Sequence, residues 1–500
     1  MLTVITFLPL LVCAVLLGLR ALPDRVYRWT WVGAAAADLA LVVAVWAGFD
    51  TGGGTQYQER ARWIPGAGVG YHVGVDGLSL PLVALTCVLF LAVAVYALRE
   101  TRRVRAYVCL FLFLQTVCVG LFVALDLILF FVFFDLAIAG MFFVIAGWGN
   151  GAAARAAALK FFLCTFTGSL ALLLGFIGLY LAASPHTFDI VELTRTAPLA
   201  GRGAYAALVL LAVGVGLAVK TPTVPFHTWL PPAHSEAPAT GSAVLAGVLL
   251  KMGTYGFLRI AMPMLPGSWR HYALVFIVVG AVSVVYGALV ALAQTDFKRM
   301  IAYTSVNHMG YVILAVGAAG VLAGTDTQAR SLAVTGAVTQ MVSHGLLTGA
   351  LFLLSGVLHD RGGTYAIGAY SGLAGPSPRF AALTAVAAFG SLGIPGLSGF
   401  TAEFQIFTGS LASQATATGI ALTGILLTAA LFLRALRQMF LGPERLPAST
   451  GAGGFGDLAA AESSAIVPLL FLALVIGVLP RFLLDVVEPA SRTVVGLVAR

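Results

Sequence analysis

Apolar runs of about 20 residues recur along nearly the whole of this chain, and each can cross a ~30 Å hydrocarbon core. Such runs leave few structural choices. Lipid offers no partner to a backbone N–H or C=O, so a crossing segment satisfies its own bonds as a helix or closes into a barrel. Barrel strands need only about 10 residues, and the runs here are longer. Charged residues make up 10% of the 500 and apolar residues 60%, whereas a soluble domain carries about 25% charged residues. The longest polar stretches, Asp50 to Asp76 and Gly442 to Ser463, are rich in Gly, Pro and Ala and lack the periodicity to build a core. They are expected to be connections, with no separate soluble domain.

The expected fold is therefore an all-α polytopic membrane protein of about fourteen spans. They lie near 2–19, 27–49, 78–98, 106–125, 127–147, 157–182, 205–223, 240–262, 272–294, 299–322, 329–357, 380–409, 414–435 and 464–483. The first run starts at Leu2 and meets its first charge only at Arg20. A cleaved leader has the reverse order, so this run is kept as a span. The net charge of +8 comes from Lys and Arg at segment ends, which orient a membrane protein, and it is no footprint for nucleic acid. Connections after odd-numbered spans hold about fifteen such residues and the others about seven, which points the odd connections to the cytoplasm. Both termini then face outward from the cell's inner membrane.

Two spans are interrupted. The seventh meets Lys220 and breaks at Pro222 and Pro225; the twelfth breaks near Pro395 and then carries Glu403. Corresponding breaks in two halves of a chain point to an ion or substrate site at mid-membrane. Spans four to eight and nine to thirteen form two five-span units, each with its fourth span broken. An odd number of spans turns the second copy over, which makes an inverted repeat. The chain divides into a three-helix segment (1–105), a first unit (106–262), a second unit (263–435), and a cytoplasmic connection with the last span (436–500).

A charge near the bilayer centre costs at least ~2.5–3.5 kcal/mol, so each is a functional candidate. Asp135, Lys220, Lys251, His308, His344 and Glu403 all fall within expected spans. Their chemistry suits proton hopping. A lysine and a carboxylate in a poorly solvated site can exchange protonation states when a partner moves, and histidine both donates and accepts near neutrality. Blander roles stand beside this one. Asp135 and Lys220 could hold two helices in register, His308 beside Asn307 could be packing, His344 near Gln340 could be polar glue between helices, and Glu403 could cap its half-helix.

Lys160 reads as snorkelling to the surface and Asp126 as a solvated cap. The spacing of His227, His234 and Glu236 fits no compact metal motif; His227 and His234 read better as proton-access residues. Cys13, Cys87, Cys109, Cys118 and Cys164 lie inside apolar runs and read as small core residues. There is no phosphate loop, dinucleotide fingerprint, four-cysteine cluster or haem-like histidine pair, so neither a cofactor nor a metal is expected in this chain.

The stretch from Lys220 to Pro238 resembles the signature of the antiporter-like membrane subunits of NADH-quinone oxidoreductase, the respiratory complex I. The resemblance continues through Gly241 to Phe257, Gln294 to Gly310, and Ile394 to Phe404, and it extends from Val75 to Pro480. It implies fourteen spans, two inverted five-helix repeats with broken seventh and twelfth helices, and one proton-translocating unit. It assigns Lys220 as the lysine of the seventh helix, Lys251 as the central lysine, His308 and His344 as relay histidines, and Glu403 as the exit-side acid.

Further implications concern partners. Flavin and iron–sulfur clusters would sit in other subunits, with two neighbouring antiporter-like subunits and lipid around this one. The Asp76-Gly77 stretch, the acid at 403 and the lack of a long C-terminal lateral helix favour one of the three large members. Two departures stand out: Asp135 where the family has Glu, and Pro232 where it usually has Asp. Subunits of Mrp-type cation/proton antiporters and of energy-converting hydrogenases share the same core and are open alternatives, as is a spacer that has lost transport.

Overall fold

The computed structural model describes residues 1–19, 22–149, 151–201, 203–322, 326–450 and 454–500. Arg20 and Arg202, counted above among the segment-end cations, lie outside them. The first helices are α1 (Leu2–Gly18), α2 (Asp24–Ala47), α3 (Leu80–Tyr96), α4 (Val104–Val123), α5 (Leu127–Trp148) and α6 (Ala154–Ala182). The short α7 (Ile190–Thr196) precedes α8 (Gly203–Lys220), α9 (Leu230–Glu236), α10 (Ala239–Met264), α11 (Pro266–His271) and α12 (Ala273–Leu292). Then come α13 (Phe297–Ala318), α14 (Thr327–Gly362), α15 (Pro378–Ser391), α16 (Ser398–Leu411), α17 (Ala415–Phe440), α18 (Ala460–Val478) and α19 (Arg481–Ala499).

Among the described residues, 11 helices are long and apolar enough to cross a membrane. The other three expected spans are also helical: α1 is 17 residues long, α13 carries more polar side chains, and α15 and α16 are the halves of the broken twelfth span. Carboxylates fix several helix starts by accepting orphan backbone N–H groups. Asp126 caps α5 through Ile128 N at 2.8 Å and Leu129 N at 3.1 Å, and Asp296 and Asp326 cap α13 and α14. Helices α4, α5, α6 and α8 pack successively on one another, and α12, α13, α14 and the α15–α16 pair follow the same order. The most enclosed helices are α14 and α10, with 100% and 94% of their apolar windows buried. Lys251 on α10 and His344 on α14 are both buried.

The polar stretch at 50–76 is not a plain connection. It forms a hairpin of β1 (Gln56–Ile64) and β2 (Val69–Val75), antiparallel, with Gln56 opposite Val75 and Ala61 opposite Tyr71. Register irregularities between Gln56 and Glu59 and between Arg62 and Ile64 break the alternation that marks a strand pair. The hairpin closes over the ends of α4 and α5: Gly70 N donates to Asp126 at 3.0 Å, so this cap is buried rather than solvated. The described parts of the second polar stretch, 442–450 and 454–459, are irregular as expected, and Glu462 in the first turn of α18 pairs with Arg361 at 2.7 Å and with Arg99. The amphipathic α19 was not foreseen; it lies on the hairpin side, against the Asp76-Gly77 turn.

Candidate functional site

Both breaks occur where prolines and glycines forbid a continuous helix, and in both the freed backbone groups find partners. After Lys220, the carbonyl of Val219 accepts Trp229 Nε1 at 2.9 Å and Val224 N donates to Ser283 Oγ at 3.0 Å. Chain continues as a 3₁₀ turn (Phe226–Trp229) and α9. Gly253 lets α10 abut this break, since a Cβ there would stand 2.4 Å from Thr221 Oγ1. Between α15 and α16, Gly393 and Gly396 take φ of +82° and +95°, a region that glycine enters without strain. Ser343 and Ser398 hydroxyls meet at 2.7 Å across this second break.

A π turn at Leu245–Leu249 interrupts α10 one residue before the Leu250-Lys251 pair. The wider turn offers the Ala246 carbonyl to Lys251 Nζ, five residues on. Lys251 Nζ also lies 2.6 Å from Nδ1 of His344, and both residues are buried. The rings of His344 and His308 stand edge to face, 5.4 Å between centroids and 84° apart. His308 Nε2 lies 3.1 Å from the Ser391 carbonyl. A carbonyl only accepts, so this nitrogen carries the proton and Nδ1 of the neutral ring is bare. Glu403, also buried, packs on the break two residues beyond Ser391, its Oε2 occupying the space beside Gly393.

One line of titratable groups thus crosses α10, α14, α13 and the α15–α16 break. Such N–H···N and N–H···O contacts let a proton sit on either partner of the Lys251–His344 pair. The other expected site residues stand apart from it. Asp135 and Lys220 form no ion pair within 4 Å among the described residues; Lys220 Nζ instead faces the Phe134 ring at 4.8 Å and has no hydrogen-bond partner. Asp135 is half-buried, with Oδ1 unpartnered.

His234 is fully buried and stacked on Phe352 at 4.5 Å, with both ring nitrogens unpartnered. His227 lies edge-on to Tyr286 at 4.9 Å, so the two access histidines occupy separate surroundings. Glu403 lies inside α16 rather than at its start, which removes the capping role. Lys160 is exposed.

Among the buried charges that escaped the sequence reading are Lys298 and Asp38. Lys298 was counted as a segment-end cation, yet it is fully buried, donating to the Ala237 carbonyl and facing the Tyr365 ring at 4.9 Å. Its place two residues after the capping Asp296 turns it inward. Asp38 sits inside the second expected span and accepts Gln115 Nε2 at 2.8 Å; the rule that flagged Asp135 applied to it equally.

Fold and site define a polytopic membrane protein with a buried lysine–histidine–carboxylate line at two helix breaks. The family model described as NADH:quinone oxidoreductase/Mrp antiporter, TM, matches residues 124–428. NADH-quinone oxidoreductase subunit M of Rickettsia bellii is 36% identical over 471 residues, 93% of this chain and 91% of that protein. Subunit M of Rhodobacter capsulatus is 38% identical over 505 residues, 98% of this chain and 95% of its own. In the structure of respiratory complex I from Thermus thermophilus with bound NADH, one chain matches over 100% of both lengths with a TM-score of 0.88 and 30% identity. A chain of the Mrp complex from Dietzia sp. DQ12-45-1b, 23% identical with a TM-score of 0.85, shares the fold. The chain belongs to the NADH:quinone oxidoreductase/Mrp antiporter transmembrane family. Within it, the Rickettsia bellii and Rhodobacter capsulatus relatives carry the name of subunit M, the kind of member that the Asp76-Gly77 stretch and Glu403 favour.

Proposed function

We propose that this chain is a proton-translocating membrane-arm subunit of an NADH-quinone oxidoreductase. The observation that carries the reading is the 2.6 Å contact between buried Lys251 and His344. Lys251 exchanges its proton with His344, His344 with His308, and Glu403 receives it at the second break. His227 and His234 give access to the line, and Asp135 with Lys220 sets when Lys251 loads. A moving charge near Lys220 shifts its balance with Asp135, because the two are not locked to each other in a direct bond. The energy arrives from redox chemistry in partner subunits, which hold the flavin and iron–sulfur clusters; this chain holds no cofactor or metal.

The chain works between two neighbouring antiporter-like subunits in the inner membrane, surrounded by lipid, with both termini on the outer face. Its two five-helix units, 106–262 and 263–435, each contribute one broken helix. The test is Lys251→Ala in the assembled complex, with redox-driven proton uptake measured in inverted membrane vesicles. Uptake is expected to fall ~100-fold, the scale of losing a positioned acid–base group. Unchanged uptake with full assembly would mean a spacer without transport. Co-purification of the tagged chain with flavin and iron–sulfur subunits separates this reading from an Mrp-type antiporter, which would bring only membrane subunits.

A further inference from the structure

Between His308 and Glu403 the line has a gap. His308 commits Nε2 to the Ser391 carbonyl, and its Nδ1 has no hydrogen-bond partner. We propose that the Tyr311 hydroxyl fills this gap as a further proton carrier, receiving from His308 and giving to Glu403; the inference rests on the proton-relay reading above.

Tyr311 is one turn beyond Asn307 and His308 on α13 and is fully buried. Its ring stacks toward His308 at 6.3 Å and 28°, and stands edge-on to Phe407 at 5.3 Å and 84°. Phe407 follows Glu403 by one turn on α16, so the tyrosine spans from the histidine to the acid-bearing helix face. Its Oη makes no well-aligned hydrogen bond and has the Asn307 side chain beside it; Asn307 Oδ1 is unpartnered, and its amide nitrogen donates to the Val284 carbonyl at 2.9 Å. The two side chains converge on Gly424 of α17: a Cβ there would stand 2.6 Å from Tyr311 Oη and 3.2 Å from Asn307 Nδ2.

Packing alone does not account for this arrangement. A phenylalanine would make the same ring contacts, whereas a buried hydroxyl carries a desolvation cost that proteins almost always offset with a bond. Here the hydroxyl is kept, and the glycine opposite keeps room for it. The charged or titratable groups acting on it are His308 from its own helix and Glu403 from α16. From α12 and α17 come Val284 and Gly424, which do not titrate.

The step is a concerted exchange. Protonated His308 gives its Nδ1 proton to Tyr311 Oη as the phenolic proton passes to the Glu403 carboxylate. One N–H and one O–H bond break, and two O–H bonds form. The imidazole becomes neutral, the phenol is neutral before and after, and the carboxylate becomes the acid.

The experiment compares Tyr311→Phe with Glu403→Gln in the assembled complex, measuring redox-driven proton uptake in H₂O and D₂O. Tyr311→Phe is expected to assemble normally, to lower uptake by roughly 10-fold or more, and to change the solvent isotope ratio because one hop is removed. If Tyr311→Phe leaves rate and ratio unchanged while Glu403→Gln abolishes uptake, the tyrosine step is overturned and the relay stands. If Glu403→Gln is also silent, the relay reading falls and takes this step with it. As a second measurement, 3-fluorotyrosine in place of Tyr311 keeps the packing but makes the phenol more acidic. It is expected to move the pH profile of uptake, and an unmoved profile overturns the proposal.

Discussion

Glu403 and Gly393 are bound to one another at the scale of single atoms. The glycine has φ +82°, and a Cβ placed on it would stand 2.3 Å from Glu403 Oε2. Position 393 therefore rejects alanine for two separate reasons, a left-handed backbone and a carboxylate already in the space. Gly396, three residues on, has φ +95° but open space around a Cβ. It supplies the control, because Gly396→Ala meets only the backbone cost of about 1–2 kcal/mol. Gly393→Ala is expected to add displacement of the acid and to lower redox-driven proton uptake toward the level of Glu403→Gln. Gly396→Ala should reduce the amount of assembled complex while leaving uptake per complex close to normal. Equal uptake in the two alanine variants would show that the position of the carboxylate does not matter. The glycines were visible in the sequence around Pro395; the acid that leans on one of them was not, since it is ten residues further along and returns only through the break.

At the scale of elements, the joint between the β1–β2 hairpin and α7 is open to perturbation by pH. Arg60 Nε donates to His72 Nε2 at 3.0 Å, so that nitrogen accepts and Nδ1 carries the proton. Nδ1 lies 2.7 Å from Asp189 Oδ2, while Asp189 Oδ1 caps α7 through Glu192 N at 2.9 Å. Burial disfavours the Asp189 charge, but the His72 bond, the Glu192 N–H and the Arg60 charge outweigh it and hold the carboxyl below its usual range. A depressed carboxylate stabilises the fold above its unfolded value of about 3.9 and loses that contribution as pH falls through its folded value. Backbone amides of β1, β2 and α7 are thus expected to exchange hydrogen faster, relative to the rest of the chain, once pH drops below ~4. Asp189→Asn should show the same faster exchange already at neutral pH, and hydrogen-exchange mass spectrometry reads both. Protection that is indifferent to pH and to the substitution would mean the hairpin is held by its apolar face alone. Little of this joint was legible. Asp126 was recognised as a cap, but the hairpin that buries it was hidden by two register irregularities that spoil strand alternation.

For the whole molecule, what could be read was whatever lipid makes expensive: long apolar runs, ions inside them and proline breaks. Those marked the helical fold, both breaks and the members of the buried line. What could not be read was contact between distant parts. Lys251 and His344 are 93 residues apart, one in each of the two proposed five-helix units, and a π turn, which no residue pattern announces, gives the lysine its carbonyl partner. Nor could the sequence show that Asp135 and Lys220 act on each other through charge without a direct ion pair. The Lys251–His344 contact directly ties buried groups of the two proposed units, so it bears on whether they act as one device. Lys251→Ala and His344→Ala are each expected to lower redox-driven proton uptake. If a proton passes between them, the double variant should lose little beyond the stronger single, because removing either end already stops the transfer. Residues acting independently would instead have effects that multiply in rate. Uptake measured on all four forms, normalised to assembled complex, distinguishes the two. A multiplicative result would separate the units and leave the short contact as packing, whereas a saturated one makes α10 and α14 the seam through which protons cross from the first half of the chain to the second.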